Sequence, residues 1–140
     1  MSDNRFIQGI ARVRKAMRCE FEARAAGLDI TATQFQVLRR LWEGDGILIS
    51  TLTRDIASDG GTITGLLDRL EAKGLIRRER GTEDRRAVRV FLTPAGAELE
   101  RPLMEIVSAI NERALEGFSP AERARLIGDL ERIGENLGAK

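Results

Sequence analysis

Basic side chains are concentrated in one short stretch of this 140-residue sequence. Residues 73–89 contain three acidic residues and seven basic ones, Lys73, Arg77, Arg78, Arg80, Arg85, Arg86 and Arg89. The stretch therefore carries a net charge of +4, whereas the whole chain carries +1 and the remainder −3. Such a cluster can bind phosphate groups, because Lys and Arg displace the counterions of a nucleic acid. A solvated, charge-rich surface hairpin is the alternative interpretation.

Several other kinds of chemistry are excluded by composition. The chain has no His and a single cysteine, Cys19, so His/Cys metal sites, His-dependent catalysis and internal disulfides are excluded. No residue pattern forms a nucleophile–base pair. No apolar run approaches the length of a membrane span, and the N-terminus lacks the pattern of a signal peptide. We therefore expect a cytoplasmic protein that is not an enzyme, has no cofactor and does not enter a membrane.

A predicted helix leads into the basic stretch, and a predicted hairpin lies within it; both would position its side chains. Apolar residues recur at helical spacing over residues 62–73, and Gly74 then supplies a residue that tolerates positive φ at the helix end. Alternating apolar and polar residues predict a hairpin after it. The first strand is expected at residues 75–79 and the second at residues 87–92, with a charged tip at residues 80–86 between them.

The chain before this stretch is predicted to be mainly helical. Apolar periodicity predicts a first helix over residues 4–26 that ends at Gly27. Thr31 and Gln34 have the spacing of a capping box, which predicts the start of a second helix. Trp42 is expected to face the core from that helix.

Residues 47–61 are predicted to form a short strand, a helix and a turn. The apolar residues 47–49 favour a third strand beside the hairpin. Ser50 is a suitable N-cap for a helix that runs to residue 57. Ser58 or Asp59 can then cap the helix that enters the basic stretch.

Two helices are predicted after the hairpin. Thr93 and Pro94 are typical of the N-cap and first residue of a long helix. Pro102 lies inside that helix, so we expect a break within the turn before it. Ser119 and Glu122 form a second capping box, which predicts the start of the last helix.

These residues also occur in the order of a known family. LLDRLEAKGLI at 66–76, Arg78, DRR at 84–86 and LTPAG at 92–96 follow one another without gaps, as in the MarR family of bacterial transcriptional regulators, which the sequence resembles. The resemblance implies a mainly α chain with a small β-hairpin wing (an α+β winged helix-turn-helix). It further implies that residues 1–140 form a single MarR-like chain with two lobes. The DNA-binding lobe is expected at residues 31–93, and the helical dimerisation lobe at residues 4–27 and 94–138.

The implied function is sequence-specific binding of double-stranded DNA by a homodimer on a pseudo-palindromic operator. A repressor released by a small-molecule effector or an oxidant is expected. The residues that the resemblance assigns to DNA contact are Ser50, Thr51, Gly61, Thr62, Thr64, Arg69, Arg78, Arg85 and Arg86. Asp84 is expected to brace an arginine, while Arg85 or Arg86 enters the minor groove.

One departure from the family favours an alternative. Gly60 and Gly61 stand where larger polar residues are usual, and Gly65 stands where many relatives carry Arg. Fewer long side chains then reach base edges, so less direct readout is expected. A winged helix used only for protein–protein contact is the alternative function.

The terminal helices carry more apolar surface than a lone winged helix needs, which indicates either an additional core or a dimer interface. The resemblance favours the interface, formed by Ile10, Leu103, Ile106, Ile110, Leu126, Leu130 and Ile133.

Cys19 has two interpretations. One branch of the family senses hydroperoxides with a first-helix cysteine activated by tyrosines, and Arg18 and Arg24 could lower the pKa of a nearby thiol. However, the chain contains no Tyr. A buried, inert thiol is therefore the favoured interpretation over a redox sensor.

Overall fold

The computed structural model describes residues 3–56 and 62–139. These residues form seven helices, one 3-10 turn and three strands: α1 (Arg5–Arg24), the 3-10 turn Ala26–Leu28, α2 (Ala32–Glu43), β1 (Ile47–Leu48), α3 (Ile49–Asp55), α4 (Ile63–Ala72), β2 (Ile76–Arg80), β3 (Val88–Leu92), α5 (Pro94–Glu98), α6 (Glu100–Ala114) and α7 (Pro120–Asn136). Two compact units, Met1–Val107 and Ser108–Lys140, divide the chain inside α6. The predicted division into lobes at 31–93 and its flanks stays a prediction.

Both predicted capping boxes are present. At the start of α2, Thr31 Oγ1 accepts from Gln34 N at 3.1 Å, and Gln34 Oε1 accepts from Thr31 N at 3.2 Å. At the start of α7, Ser119 and Glu122 exchange the equivalent pair of hydrogen bonds. These contacts depend only on residues three apart, which is why the sequence predicts them correctly.

Other helix ends differ from expectation. α1 ends at Arg24 and a 3-10 turn follows, so Gly27 does not end it; the left-handed residue of this segment is Asp29, with φ 54°. α3 begins at Ile49, with Leu48 at its N-cap and no side-chain cap, so the prediction of Ser50 as N-cap is wrong. The strand β1 runs directly into this helix and leaves no room for a capping turn.

The wing sheet has the strand order β1–β3–β2, and both pairings are antiparallel. The predicted third strand and hairpin are thus confirmed. Ile76 and Val90 are buried on the inner face. On the outer face, the guanidinium of Arg77 lies 4.6 Å from the ring centre of Phe91. This alternation follows the two-residue period of a half-buried strand.

The core of the Met1–Val107 unit is aliphatic. Its fully buried side chains come from α2, α3, α4, α6 and the sheet: Val37, Leu38, Leu41, Leu52, Leu67, Leu70, Ile76, Val90 and Leu103. Trp42 is half-buried, and its Nε1 donates to the Gly96 carbonyl at 3.0 Å. The predicted core position of Trp42 is therefore only partly correct, since the indole sits at the core margin where its N–H reaches a partner.

The predicted break before Pro102 is confirmed. α5 ends at Glu98, Leu99 intervenes, and α6 begins at Glu100. Proline removes a backbone donor and clashes with the preceding turn, which accounts for the interruption at this point. Within the described part of the chain, no helix is both long enough and apolar enough to cross a membrane.

Candidate nucleic-acid interface

The N-terminal turn of α4 presents short polar side chains to solvent. Thr62 is the N-cap, and its Oγ1 accepts from Gly65 N at 3.1 Å. Thr62 therefore has the capping role that was predicted for Ser58 or Asp59. Ser58, Asp59 and the predicted DNA-contact residue Gly61 lie outside the described residues.

Thr64 and Arg69 are exposed on α4, in agreement with a surface that a groove can accept. Gly65 is the one glycine inside this helix, so a propensity cost of about 1 kcal/mol applies there. A Cβ at Gly65 would lie 3.5 Å from Thr62 Oγ1, an ordinary contact. Packing therefore does not require glycine at this position, and its effect is to leave the helix surface flat.

The tip of the wing is a closed turn. Gly81 N donates to Ala87 O at 2.7 Å, and Arg80 Nη1 donates to the Arg85 carbonyl at 3.3 Å. Arg85 and Arg86 are both exposed at this tip. Their backbone is held from both sides, while their side chains extend into solvent.

Asp84 contacts the neighbouring arginine through the main chain. Its Oδ1 accepts from the backbone N–H of Arg86 at 3.0 Å. This is the geometry of an Asx turn, in which a short carboxylate fixes the backbone two residues later. Asp84 thus contacts the backbone N–H of Arg86, and not an arginine guanidinium, in the position where a brace was expected.

Arg78 joins the wing to α4. Its Nη2 donates to Asp68 Oδ1 at 2.6 Å and its Nε to Glu71 Oε2 at 2.5 Å. These hydrogen bonds, first the one to Asp68 and then the one to Glu71, raise the pKa of Arg78. The sequence predicts that Arg78 contacts DNA. Because its guanidinium donates to two carboxylates of α4, this geometry favours a role in orienting β2 against α4.

Thr93 connects the sheet to the C-terminal end of α4. Its Oγ1 donates to the Gly74 carbonyl at 2.6 Å and accepts from Gly96 N at 3.2 Å. A Cβ on Gly96 would lie only 2.1 Å from the Leu75 carbonyl oxygen, so this position needs glycine for backbone contact. The LTPAG residues thus hold both ends of the hairpin beside the helix.

On α3, Ser50 is exposed and Thr51 is half-buried. Thr53 donates through Oγ1 to the Ile49 carbonyl at 2.9 Å. Ser50 is therefore accessible to a phosphate, and Thr51 is accessible in part.

The apolar stripe of α1 is covered by its own chain only at the C-terminal end. Phe21 is buried and its ring centre lies 4.9 Å from that of Phe35. Towards the N-terminus the stripe is exposed, at Phe6, Ile7, Ile10, Val13 and Met17. Five large apolar side chains of this helix are therefore exposed along one face.

Of the predicted interface residues on α6 and α7, Leu130 is exposed, and Ile106, Leu126 and Ile133 are half-buried. Leu103 and Ile110 differ from these residues, because both are buried. Leu103 is 0% exposed and Ile110 8% exposed within their own chain, so neither presents a surface to a partner.

Cys19 is exposed, which overturns the expectation of a buried thiol. Helical spacing explains this, because Cys19 falls nearly opposite the apolar stripe of α1. The two nearby arginines have acidic partners. Arg18 Nε lies 3.7 Å from Glu22 Oε1, and Arg24 Nε donates to Glu20 Oε1 at 2.8 Å.

A helix with a polar N-terminal surface beside a basic, braced wing is the arrangement that the motifs predicted. The family model described as the MarR family matches residues 30–88. The transcriptional regulator SarZ of Staphylococcus haemolyticus is 34% identical over 110 residues, which cover 77% of this chain and 72% of that protein. The chain belongs to the MarR family. The predicted winged helix-turn-helix fold is likewise confirmed.

Two further MarR-type comparisons bear on the site. The transcriptional regulator TtmR of Methylorubrum extorquens is 33% identical over 112 residues; these cover 80% of this chain but 56% of TtmR, little more than half its length. A crystal structure from Listeria monocytogenes, described as a MarR family transcriptional regulator complexed with a 26mer DNA, matches with a TM-score of 0.86. Identity there is 26%, over 98% of this chain and 90% of that one.

Sequence reasoning identified the residues of the wing but missed the contacts that orient them. The pairing of Arg78 with Asp68 spans ten residues and two elements. The contact of Trp42 with Gly96 spans 54 residues. The Arg78–Asp68 contact could have been suspected from the opposite charges of Arg78 and the acidic residues of α4. Local sequence spacing gives no indication of the Trp42–Gly96 contact.

Proposed function

We propose that this protein is a sequence-specific DNA-binding transcriptional regulator that acts as a homodimer on a pseudo-palindromic operator. The observation that carries the proposal is the brace from Arg78 to Asp68, which orients the basic wing and α4 together. One duplex can then meet both elements, α4 in the major groove and the wing arginines at the adjacent minor groove. The relative from Listeria monocytogenes in complex with DNA supports this assignment.

The homodimer is supported by the exposed apolar faces of the terminal helices. Ile10 is 46% exposed on α1, and Leu130 is 48% exposed on α7. A second copy of the chain would cover these faces and remove an aggregation hazard. It would also place two recognition helices about 34 Å apart, the separation of successive major grooves.

We further propose that the protein is a repressor, which a small ligand or an oxidant releases from DNA. An open surface depression of about 530 Å³ in the Met1–Val107 unit offers space for such a ligand. It is lined by apolar residues, among them Leu28, Leu75 and Leu99, and by the charged residues Asp29, Lys73 and Glu98. This volume lies within the usual range of small-molecule sites. The oxidant has less support, because the arginines beside Cys19 are paired with glutamates.

The wing arginines provide the test of DNA binding. Arg86→Ala should weaken binding to the DNA upstream of the protein's own coding sequence by about tenfold or more, measured by gel shift. The slope of log affinity against log salt should fall by about one for each phosphate that the variant no longer neutralises. Arg85→Ala should have a similar or smaller effect, and Asp84→Ala a smaller effect than removal of the inserted arginine.

Arg101→Ala is the matched control, since it removes the same charge from an 89% exposed side chain on α6. Its DNA affinity should equal that of the wild type. If the Arg85→Ala/Arg86→Ala double variant still bound DNA at physiological salt, the wing assignment would be wrong. If the wild type showed no salt-dependent DNA binding, the alternative of a protein–protein module would replace the proposal.

A further inference from the structure

A lysine at the C-terminal end of α4 contacts a distant part of the chain. Lys73 is the C-cap residue of α4. Its Nζ donates to Gln34 Oε1 at 2.9 Å and to the main-chain carbonyl of Asp29, and lies 3.5 Å from Asp29 Oδ2. These acceptors are 39 and 44 residues away in sequence, between α1 and the first turn of α2.

This is not the usual role of a lysine at a helix end. A terminal lysine commonly interacts with the last carbonyls and the dipole of its own helix. The ammonium of Lys73 instead lies beside oxygens of Asp29 and Gln34, and its side chain is 27% exposed. The contact therefore joins two elements rather than capping one.

Gln34 is the central residue of this contact. It is the buried polar residue of the core, at 3% exposure, and its Oε1 accepts from both Thr31 N and Lys73 Nζ. The same atom therefore completes the capping box of α2 and holds the end of α4. Because a buried amide oxygen must keep its partners, displacement of Lys73 would disturb both elements.

Asp29 is held in a matching geometry. It is the one non-glycine residue with positive φ among residues 3–56 and 62–139. Aspartate is among the few residue types that tolerate this left-handed conformation. Its backbone and carboxylate oxygens both lie within reach of the same ammonium.

α4 is consequently held at two places in its C-terminal half by different means. Near its C-terminal half, Asp68 and Glu71 attach it to the wing through Arg78. At the C-cap that follows its last residue, Lys73 attaches it to the start of α2. We propose that Lys73 is a positioning residue, which sets the orientation of α4 through Gln34 and Asp29 and on which sequence-specific DNA binding depends.

The inference rests on the proposed function, because it assigns α4 to the major groove. Removal of the Lys73 ammonium would leave the wing arginines and their phosphate contacts in place. Contacts to base edges need a defined helix orientation, whereas phosphate contacts tolerate small rotations. Specific binding should therefore weaken much more than non-specific binding.

The test uses full-length protein and a duplex that the wild type selects from a random-sequence pool. Lys73→Met should bind this duplex about tenfold more weakly, while its affinity for an unselected duplex changes by less than about twofold. Lys15→Met is the matched control: it removes the same charge from an exposed residue on the side of α1 opposite the apolar stripe. It should retain the ratio of specific to non-specific affinity.

Two conservative variants separate positioning from general loss of stability. Lys73→Arg keeps a charged donor and should restore most of the specific affinity. Gln34→Glu keeps the acceptor for both Thr31 N and Lys73 Nζ and should bind the selected duplex within about threefold of the wild type. If Lys73→Met proves unstable, Lys73→Gln, which retains a neutral donor, should give an intermediate loss.

The inference is overturned if Lys73→Met keeps the specificity ratio of Lys15→Met, or if both kinds of binding fall in equal proportion. Failure of Lys73→Arg to recover specificity in a folded protein would also overturn it. If the wild type selects no sequence at all, it is the proposed function that fails, and that result is seen before any variant is compared.

Discussion

Arg78 on β2 and Asp68 on α4 are joined by a hydrogen-bonded ion pair of 2.6 Å. The pair crosses from β2 to α4, and Glu71 adds a second carboxylate one turn further along α4. The Arg78 side chain is 26% exposed and is thus partly screened from water. A planar donor group with two carboxylates fixes direction as well as distance between the two elements.

We expect Arg78→Met to weaken DNA binding by about tenfold and to lower the free energy of unfolding by about 1 kcal/mol. If Arg78 orients the wing without touching DNA, the salt dependence of binding should be unchanged. A direct phosphate contact would instead reduce the log–log slope by about one. Measurement of affinity by fluorescence anisotropy at several salt concentrations decides between these roles.

Arg77→Met is the control for this experiment, because Arg77 is the adjacent residue on the opposite face of β2, above Phe91. Asp68→Asn should reproduce part of the Arg78→Met defect, and the double variant should be no worse than Arg78→Met alone. Additive losses would show that the two residues act separately.

The contribution of Arg78 to stability depends on pH in a direction that its pKa shift determines. The pKa of Arg78 is raised in the folded protein, so its contribution to stability is complete below the ordinary pKa of arginine. It is lost only as the pH rises through the raised pKa. Titration of Arg78 itself should therefore cause no change in DNA binding across the neutral range.

Cys19 is predicted to be inert towards function although it is exposed. Reactive cysteines need an environment that favours the thiolate, and the neighbouring Arg18 and Arg24 are engaged by Glu22 and Glu20. Treatment with peroxide should leave DNA binding of the wild type unchanged in a gel shift, and Cys19→Ser should behave in the same way. Peroxide-dependent release that disappears in Cys19→Ser would establish the redox-sensor interpretation instead.

Leu130→Glu tests the proposed dimer. In a single chain the side chain at this position is half-exposed and a glutamate would be tolerated. Across a twofold interface two unpaired carboxylates would be buried, at a cost of several kcal/mol each. We expect the variant to sediment as unstable monomers and to lose specific DNA binding with its wing intact.

Arg132→Glu is the control for charge, since it lies two residues later on the other side of α7 and is 76% exposed. It should remain dimeric. Sedimentation of the wild type as a monomer at micromolar concentration would contradict the proposal, as would operator binding by Leu130→Glu with wild-type affinity.

Gly96→Ala should destabilise the protein by about 2 kcal/mol, because the added methyl group would overlap the Leu75 carbonyl oxygen. Gly128→Ala is the matched control. Gly128 lies in α7 with no atom within 4 Å of an added Cβ, so this variant should gain up to about 1 kcal/mol from helix propensity. Urea unfolding of both variants measures the difference, and a Gly96→Ala protein as stable as the wild type would refute the close contact.

Features that depend on near neighbours in the chain are predictable from local sequence. The capping boxes at Thr31 and Ser119 need residues three apart, and the break before Pro102 needs only a missing backbone donor. The alternation of Ile76 and Arg77 set which face of β2 is buried. The concentration of arginine in the wing was also readable from composition, since it needs no knowledge of the fold.

Contacts between side chains of different elements depend instead on how those elements pack in three dimensions. Apolar periodicity treats Leu103 and Leu130 alike, but the first is buried in its own chain and the second is exposed, because a periodic stripe does not specify what covers it. The partners of Arg78 and Lys73 depend on the angle between α4 and its neighbours. That angle results from the packing of the whole Met1–Val107 core, a property that no local stretch of sequence contains.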